Sequence, residues 1–456
     1  MNFRILEKYN KPGPRYTSYP PATFFNADFN NDSYIEQVKV SNSSEPNNIS
    51  LYIHIPFCNR LCHFCGCNTS IMGKPDYIER YVNALLKEID TVSQHIDTSR
   101  TVTQIHWGGG TPNSISLDYT QTIMQKIFNL YKIDANAEIA MECSPAHLEF
   151  EDIDRLAKIG FNRLSLGIQD FNDEVLKNVN REPSQYPVEN LVNHMKEVGF
   201  EGVNLDLIYG LPGQTPESFE DSIEKAIKIS PDRIVTFSYA HVPWVKSAQK
   251  KLETIGLPGT EEKLDMFGIA YELLTKNGYV SIGMDHYAKP DDSLSAALQK
   301  KKLHRNFQGY CTRETTGQVY GFGSSSISQL TGSYSQNQKN INKYIEEIEQ
   351  NGIAVEKGYL LNELDSIRRT VINDIMCNGY LDFNQVAEIY KTTAEEIEKI
   401  VEYNPKNLNE FIEDNLLHID GKKIILEPEG FFVVRNIAMK FDPLLTEGTG
   451  QYSKTV

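Results

Sequence analysis

The sequence predicts an α/β fold: a partial (β/α)6, TIM-like barrel with an N-terminal extension and a mostly helical, winged-helix-like C-terminal domain. Three observations predict it. Short β-rich apolar runs recur through the first half of the chain, helix-like stretches separate them, and the repeat stops after Val242-Pro243. Such alternation makes a parallel sheet with helical crossovers, and six units fall short of a closed eight-stranded barrel.

The opening segment, residues 1–45, reads as irregular, because Pro12, Pro14, Pro20 and Pro21 interrupt it and Asn and Ser are frequent. Strand-like runs follow at 51–55, 104–107, 138–142, 163–168, 203–208 and 233–239. Helix-like stretches lie between them at 77–92, 119–131, 151–158, 187–198 and 216–230, the last with a start signal in Thr215-Pro216-Glu217. Residues 46–243 therefore form the barrel. Residues 244–360 read as a barrel extension and connecting region, in which 244–330 mix helix with loops rich in His, Asp and Gly. Residues 361–456 read as the C-terminal domain, with helices at 364–376, 383–390 and 395–403 and a hairpin at 417–426 turning at Asp420-Gly421.

Composition narrows the function. The chain has 456 residues, 40% hydrophobic and 23% charged, ordinary values for a globular protein. Its net charge of -16 argues against nucleic acid as the main partner. An anionic small substrate needs only a local cluster of Arg and Lys. No apolar run approaches the roughly 18 residues of a membrane span, and Met1-Asn2-Phe3-Arg4 lacks a signal core. Seven cysteines, an odd number with four bunched together, do not make a disulfide framework. A reducing, cytoplasmic location is expected.

The chemistry concentrates in Cys58-x3-Cys62-x2-Cys65, directly after the first strand. Three thiolates fill three corners of an iron–sulfur cube and leave the fourth iron open to a substrate or cofactor. Zinc is the alternative, since Cys67, His63 and His54 lie near enough in sequence to close a tetrahedral site. The second strand runs into Gly108-Gly109-Gly110-Thr111-Pro112. A glycine run serves a tight turn as readily as a ligand, but here it follows a strand next to the cysteine loop. Glu142, Gln169, Asp206 and Ala240-His241 fall in or at the ends of successive strands, where parallel α/β folds place their sites. Arg181 could pair with a ligand carboxylate, although a lone Arg is more often a solvated ion pair.

The cysteine spacing resembles the radical S-adenosylmethionine (radical SAM) superfamily, and the barrel is then the radical SAM barrel. Over nearly the whole length the chain is similar to the oxygen-independent coproporphyrinogen III oxidases of that superfamily. The residues that carry the likeness are Pro14-Arg15-Tyr16-Thr17-Ser18-Tyr19-Pro20, residues 51–58, Cys65-Gly66-Cys67-Asn68, residues 106–112, 161–164 and 206–212, and Gln169-Asp170-Phe171-Asn172. Gly283-Met284-Asp285-His286, residues 304–310, Ile367-Arg368-Arg369 and Cys377-Asn378 extend it. The sequence departs after Glu142, where Cys143-Ser144-Pro145-Ala146 stands in place of the family's usual acidic residue and Pro-Arg. The tail at 450–454 is also less basic than is usual in the family.

The resemblance implies one [4Fe-4S] cluster on Cys58, Cys62 and Cys65, with Cys67 a nearby non-ligand. It implies SAM contacts at Tyr52, Phe64, Gly109, Gly110, Thr111, Glu142, Gln169, Arg181, Asp206, Ala240 and Ile327. Phe307 and Gln308 match a segment near a second SAM or the substrate, so one or two SAM molecules are expected. No catalytic side chain is implied beyond cluster and SAM. The implied reaction is oxidative decarboxylation of two propionates of coproporphyrinogen III to vinyls, giving protoporphyrinogen IX in anaerobic heme biosynthesis. Residues 1–45 would cap the substrate. Its four carboxylates call for bidentate Arg partners, and Arg15 and Arg305 are the candidates. A flavodoxin- or ferredoxin-like electron donor, an electron acceptor and a monomeric state are further expectations. A heme-binding chaperone, or a heme-modifying radical SAM enzyme on the same scaffold, is the alternative. The chaperones usually lack the run from Arg15 to Pro20.

Overall fold

The computed structural model describes residues 5–313 and 316–445, so the tail at 450–454 lies outside the described residues. The six runs form strands β1 (Ile49–Ile55), β2 (Thr101–Gly109), β3 (Lys132–Cys143), β4 (Arg163–Gln169), β5 (Gly202–Tyr209) and β6 (Arg233–Ser238). They pair in parallel, each with its sequence neighbour. Helices Pro75–Ser93, Leu117–Leu130, Phe150–Ile159, Val188–Glu197 and Pro216–Ile229 make crossovers. The last is capped by the Thr215 side chain, which accepts from the Ser218 N–H, with Pro216 in the first turn.

Side chains alternate along a strand, so each strand has two faces. Ile105 and Trp107 of β2, Ile139 and Met141 of β3, Leu164 and Leu166 of β4, and Val203, Leu205 and Leu207 of β5 join the core shared with the helices. The residues between them point the other way. Gln104, His106, Glu138, Glu142, Ser165, Asn204 and Asp206 line one internal cavity.

Two parts differ from the expectation. Residues 31–41 are a helix, not an irregular segment (Asn31–Ser41). Asn30 caps it by accepting from the N–H groups of Asp32 and Ser33, so the asparagines read as loop markers include a helix start. Residues 244–360 supply strands as well as helices. These are β7 (Val280–Gly283), β8 (His286–Ala288), the hairpin β9 (Leu303–Asn306) and β10 (Gly309–Thr312), and β11 (Gln318–Phe322), β12 (Ile327–Gln329), β13 (Ser333–Asn337) and β14 (Val355–Leu360). All but β9 and β10 join the barrel strands in one twelve-stranded sheet, ordered β14-β13-β12-β11-β1-β2-β3-β4-β5-β6-β8-β7. β11 runs parallel to β1, and the outer strands are antiparallel. These strands were hidden because they are short and rich in Ser, Gln, Tyr and Gly, which lack the apolar signature of a buried strand.

The C-terminal part has helices Glu363–Asn378, Phe383–Tyr390 and Ala394–Ile400. The expected hairpin, Leu417–Asp420 with Lys423–Leu426, gains a third strand from Tyr380–Asp382, giving the small sheet of a winged-helix-like unit. No helix among the described residues is long and apolar enough to cross a membrane.

Glu88 ties the first crossover helix to the rim beyond β1. It is 2% exposed, and its carboxylate accepts from the Tyr344 hydroxyl at 2.6 Å, Asn337 Nδ2 at 2.5 Å and the Gly323 N–H at 2.8 Å. Burial pushes its carboxyl up to about 7 from the ordinary 4.5, against the pull of these donors. The folded state therefore favours the protonated acid. Its stabilising contribution is present below pH 4.5 and is lost as pH rises through 7. Glu88→Gln is expected to remove this component of the pH dependence, on the order of 3 kcal/mol. Chemical denaturation of both proteins across that range checks it, and equal slopes would dismiss the assignment.

Candidate functional site

The cysteine loop grows from the C-terminal end of β1 and is closed at its base. Phe57–Cys58 pairs with Ser70–Ile71, the Gly110 N–H donates to the Ile55 carbonyl at 2.7 Å, and the Thr111 N–H donates to the Phe57 carbonyl at 2.9 Å. On its far side, Asn180 Nδ2 donates to the Leu61 carbonyl at 2.8 Å and Gln249 Nε2 to the Phe64 carbonyl at 2.9 Å. Cys58 is buried, Cys62 and Cys65 are half-buried, and Cys67 is exposed.

Each of the first three sulfurs faces a donor. Thr111 Oγ1 lies 3.4 Å from Cys58 Sγ, Arg181 Nη1 lies 4.0 Å from Cys62 Sγ, and the Cys67 N–H lies 3.4 Å from Cys65 Sγ. Burial pushes the Cys58 and Cys62 thiols up, and each is raised further by neighbouring cysteines. The Cys67 side chain draws Cys65 down to about 6, with help from the Cys67 N–H and despite burial. The donors at Cys58 and Cys62 offset part of what burial costs their thiolates, the form an iron–sulfur cube takes as its ligand. Among the described residues no group of three or more His, Cys, Asp or Glu converges on a point where one metal ion would sit. Corner ligands of a cube stand farther apart than ligands of a single ion. Of the possible zinc partners, His54 is buried, with Nε2 3.3 Å from the Asn68 carbonyl and Nδ1 3.1 Å from the Tyr52 hydroxyl.

The glycine run is shaped by close approaches. A Cβ on Gly108 would fall 2.8 Å from Glu142 Oε1, and one on Gly110 would fall 2.8 Å from the Phe57 carbonyl oxygen. Gly109, at φ +117°, lies over the His54 ring. Next to this run, His106 Nε2 donates to Glu142 Oε1 at 3.0 Å, and Tyr52 stacks on the His106 ring. Burial pushes the Glu142 carboxyl up, but the His106 hydrogen bond and charge and the Gly109 N–H hold it below its ordinary value. Asp206 goes the other way. Burial pushes it up to about 6, although the Ser165 hydroxyl donates to it at 2.9 Å. Gln308, at the tip of the β9–β10 hairpin, reaches the same cavity as His106, Glu142 and Asp206. Gln169 has φ 70° where the pairing of β4 with β5 slips by a residue, a strained position for a non-glycine residue. Arg181 donates to the Gly167 carbonyl as well as facing Cys62, and its Nε is buried without a partner.

The other expected residues sit around this centre. Phe64 packs on an apolar cluster with Val175, Leu211 and Tyr239. Ile327 begins β12, and its backbone lies against Gly321, the β11 residue paired with Tyr52. Phe307 packs edge-on against Phe25 and Tyr334. Ala240 and Arg15 line a second, outer cavity of about 340 Å³ with Tyr209, His241, Lys263, Asp285 and Arg435. Arg305 reaches neither of these two cavities; it is 6% exposed, and its guanidinium donates to the Arg15 carbonyl at 2.8 Å. Sequence reasoning missed Gln249, which donates to the Ala240 carbonyl at 3.3 Å as well as to that of Phe64, and missed Lys246, which donates to the Cys67 carbonyl at 2.7 Å. Neither carries a spacing signal. Asp285 and His286 lay in a quoted motif without a role; they are joined at 2.6 Å, Asp285 lining the outer cavity and His286 the inner one.

Comparison with known proteins agrees with this geometry. The radical SAM superfamily matches residues 52–226. The oxygen-independent coproporphyrinogen III oxidase of Escherichia coli is 40% identical over 443 residues, covering 97% of this chain and 95% of that protein. The enzymes of the same description from Synechocystis sp. and Helicobacter pylori are 39% and 38% identical, covering 98% and 100% of this chain and 96% and 99% of theirs. A solved structure of the Escherichia coli coproporphyrinogen III oxidase, described as a radical SAM enzyme, superposes with a TM-score of 0.90 at 38% identity. The match covers 97% of this chain and 99% of that one.

With donors at three sulfurs and Cys67 outside that set, Cys58→Ala, Cys62→Ala and Cys65→Ala are each expected to lose nearly all the iron and sulfide of the reconstituted protein. Cys67→Ser is expected to retain both. Quantifying iron and acid-labile sulfide checks this. A Cys67→Ser protein that keeps its circular dichroism but purifies without iron would make Cys67 a ligand.

Proposed function

Since the chain belongs to the oxygen-independent coproporphyrinogen III oxidases of the radical SAM superfamily, we propose that the two adjoining cavities divide the work, the inner one serving SAM and the outer one the tetrapyrrole. The protein is an oxidoreductase that converts two propionates of coproporphyrinogen III to vinyls, and it uses a [4Fe-4S] cluster and SAM. Bound together, these two supply a 5'-deoxyadenosyl radical, the hydrogen-atom acceptor that an unactivated propionate side chain requires. The observation that carries the division of labour is the pair of distinct linings, polar inner-face residues in one cavity and cationic and aromatic residues in the other, with the bonded Asp285 and His286 contributing one to each.

In this reading Cys58, Cys62 and Cys65 hold three irons. Gly109, Gly110 and Thr111 bring backbone close to the SAM amino acid moiety. Glu142, held ionised by His106, suits the ammonium, and Arg181 suits the carboxylate. Tyr52, Phe64, Gln169, Asp206, Ala240 and Ile327 complete the surround, and Gln308, with Phe307 behind it, closes the opening. The substrate's part is simple to balance. One hydrogen atom leaves the β-carbon, then CO2 and one electron leave, and a vinyl remains. The electron passes to an acceptor, and a flavodoxin- or ferredoxin-like protein supplies the reducing electron. The protein's contribution is to fix the propionate against the radical and keep water out. We further propose a cytoplasmic monomer, with residues 1–45 as the cap, 46–243 as the barrel, 244–360 as its extension and 361–456 as the C-terminal domain.

Anaerobic incubation of the reconstituted protein with SAM, reductant and coproporphyrinogen III is expected to give protoporphyrinogen IX, CO2 and 5'-deoxyadenosine. Chromatography of the oxidised porphyrins reads the result. Deoxyadenosine without any tri- or dicarboxylic vinyl porphyrin, where a known oxidase makes both, would place the chain among other radical SAM enzymes.

A further inference from the structure

Resting on that reading, the structure assigns different jobs to the arginines around the outer cavity. Two of them, Arg15 and Arg435, line it, and Arg305 lies buried behind them. Arg435, from helix Val434–Ala438, is 4% exposed and donates through Nε to the Pro14 carbonyl at 3.1 Å and through Nη2 to the Gly13 carbonyl. Arg305 donates to the Arg15 carbonyl at 2.8 Å and stacks over Tyr310. Three successive carbonyls, at 13, 14 and 15, are thus gripped by two buried arginines that are distant in sequence. The next residue, Tyr16, takes φ 48°, and its hydroxyl and that of Tyr19 each donate to Asp442 at 2.9 Å. A bulky residue holds such a backbone angle only where its surroundings over-determine it.

The grip presents one group. Arg15 lines the cavity, is exposed, and its guanidinium has no hydrogen bond or ion pair among the described residues. The cavity also carries Lys263 and Arg435 but only one acid, Asp285, and its apolar wall includes Trp244, Phe267 and Phe432. Among the residues lining the cavity, cationic side chains outnumber acids. Burial, with the charges of Arg15 and Arg305 close by, pulls Arg435 down to about 9. A flat apolar ligand edged with aliphatic carboxylates matches this lining.

We propose that Arg15 anchors a propionate of the tetrapyrrole that is not reacting, and that Arg305 and Arg435 are positioning residues which act on the substrate only through the backbone of residues 13–15. In the full-length reconstituted enzyme, Arg15→Met should raise KM for coproporphyrinogen III roughly tenfold or more, the loss of a charge-assisted pair. Cluster content and SAM affinity should stay at the wild-type level, and Arg15→Lys should recover part of the loss. Arg305→Lys and Arg435→Lys should each raise KM alone, yet add nothing in the Arg15→Met background, because positioning has no effect once the positioned group is gone. Fluorescence quenching by oxidised coproporphyrin III measures the same ordering of affinities without turnover, so the anchor is tested even if the wild type forms no vinyl product and the functional reading fails. Unchanged porphyrin affinity in Arg15→Met overturns the anchor. Full additivity of Arg305→Lys with Arg15→Met overturns the positioning role.

Discussion

The two-residue period of a β-strand underlies this molecule. In β2 to β5 it sends Ile105, Trp107, Ile139, Met141, Leu164, Leu166, Val203, Leu205 and Leu207 to the helices, and His106, Glu142, Ser165 and Asp206 to the interior. A slip of one residue would bury the carboxylates against the helices and turn the apolar side chains into the cavity. The apolar core therefore fixes the register of the polar interior as well. The departure at Gln169 is informative because it comes where the pairing with β5 slips, next to Gly167, whose carbonyl receives Arg181.

The interior is an electrostatic environment made by placing acids unequally. Glu142 has the His106 hydrogen bond and charge and the Gly109 N–H to offset its burial, and it stays below its ordinary value. Asp206 has the Ser165 hydroxyl but also feels the Glu142 charge, and it rises to about 6. Two carboxylates in one cavity are thus shifted in opposite directions, Asp206 taking up a proton first as pH falls. The same logic on the outside gives a cavity whose lining has more cations than acids.

Much of this was legible in the sequence, and the exceptions have physical causes. The six barrel strands and the helices between them announced themselves because each buries an apolar face, and the cysteine, glycine and Glu142 positions followed from where those strands end. β11 to β14 were not legible, since polar side chains there bond to groups far away in the chain, Tyr320 to Ser41 and Arg100 and Gln318 to the carbonyls of residues 41, 44 and 46, and no local pattern encodes such partners. The Asn31–Ser41 helix was obscured by the asparagine that caps it. Gln249 and Lys246 bind backbone carbonyls of the cysteine loop, and a contact to a carbonyl leaves no trace in the partner's residue type. For that reason Arg305 and Arg15 looked alike in the sequence, although one is buried against a carbonyl and the other faces open space.

The joining of residues 13–19 to residues 435–442 has a consequence for the order in which the protein is made. Synthesis delivers residues 13–19 first and the groups that hold them, Arg435 and Asp442, more than four hundred residues later. The barrel strands and the cysteine loop have all their sheet partners once β11 has emerged, more than a hundred residues earlier in translation at a roughly constant pace. A nascent chain can therefore have a formed barrel while its opening segment still lacks a fixed place. The outer cavity, lined by Arg15 and Arg435 together, can be completed only after the barrel.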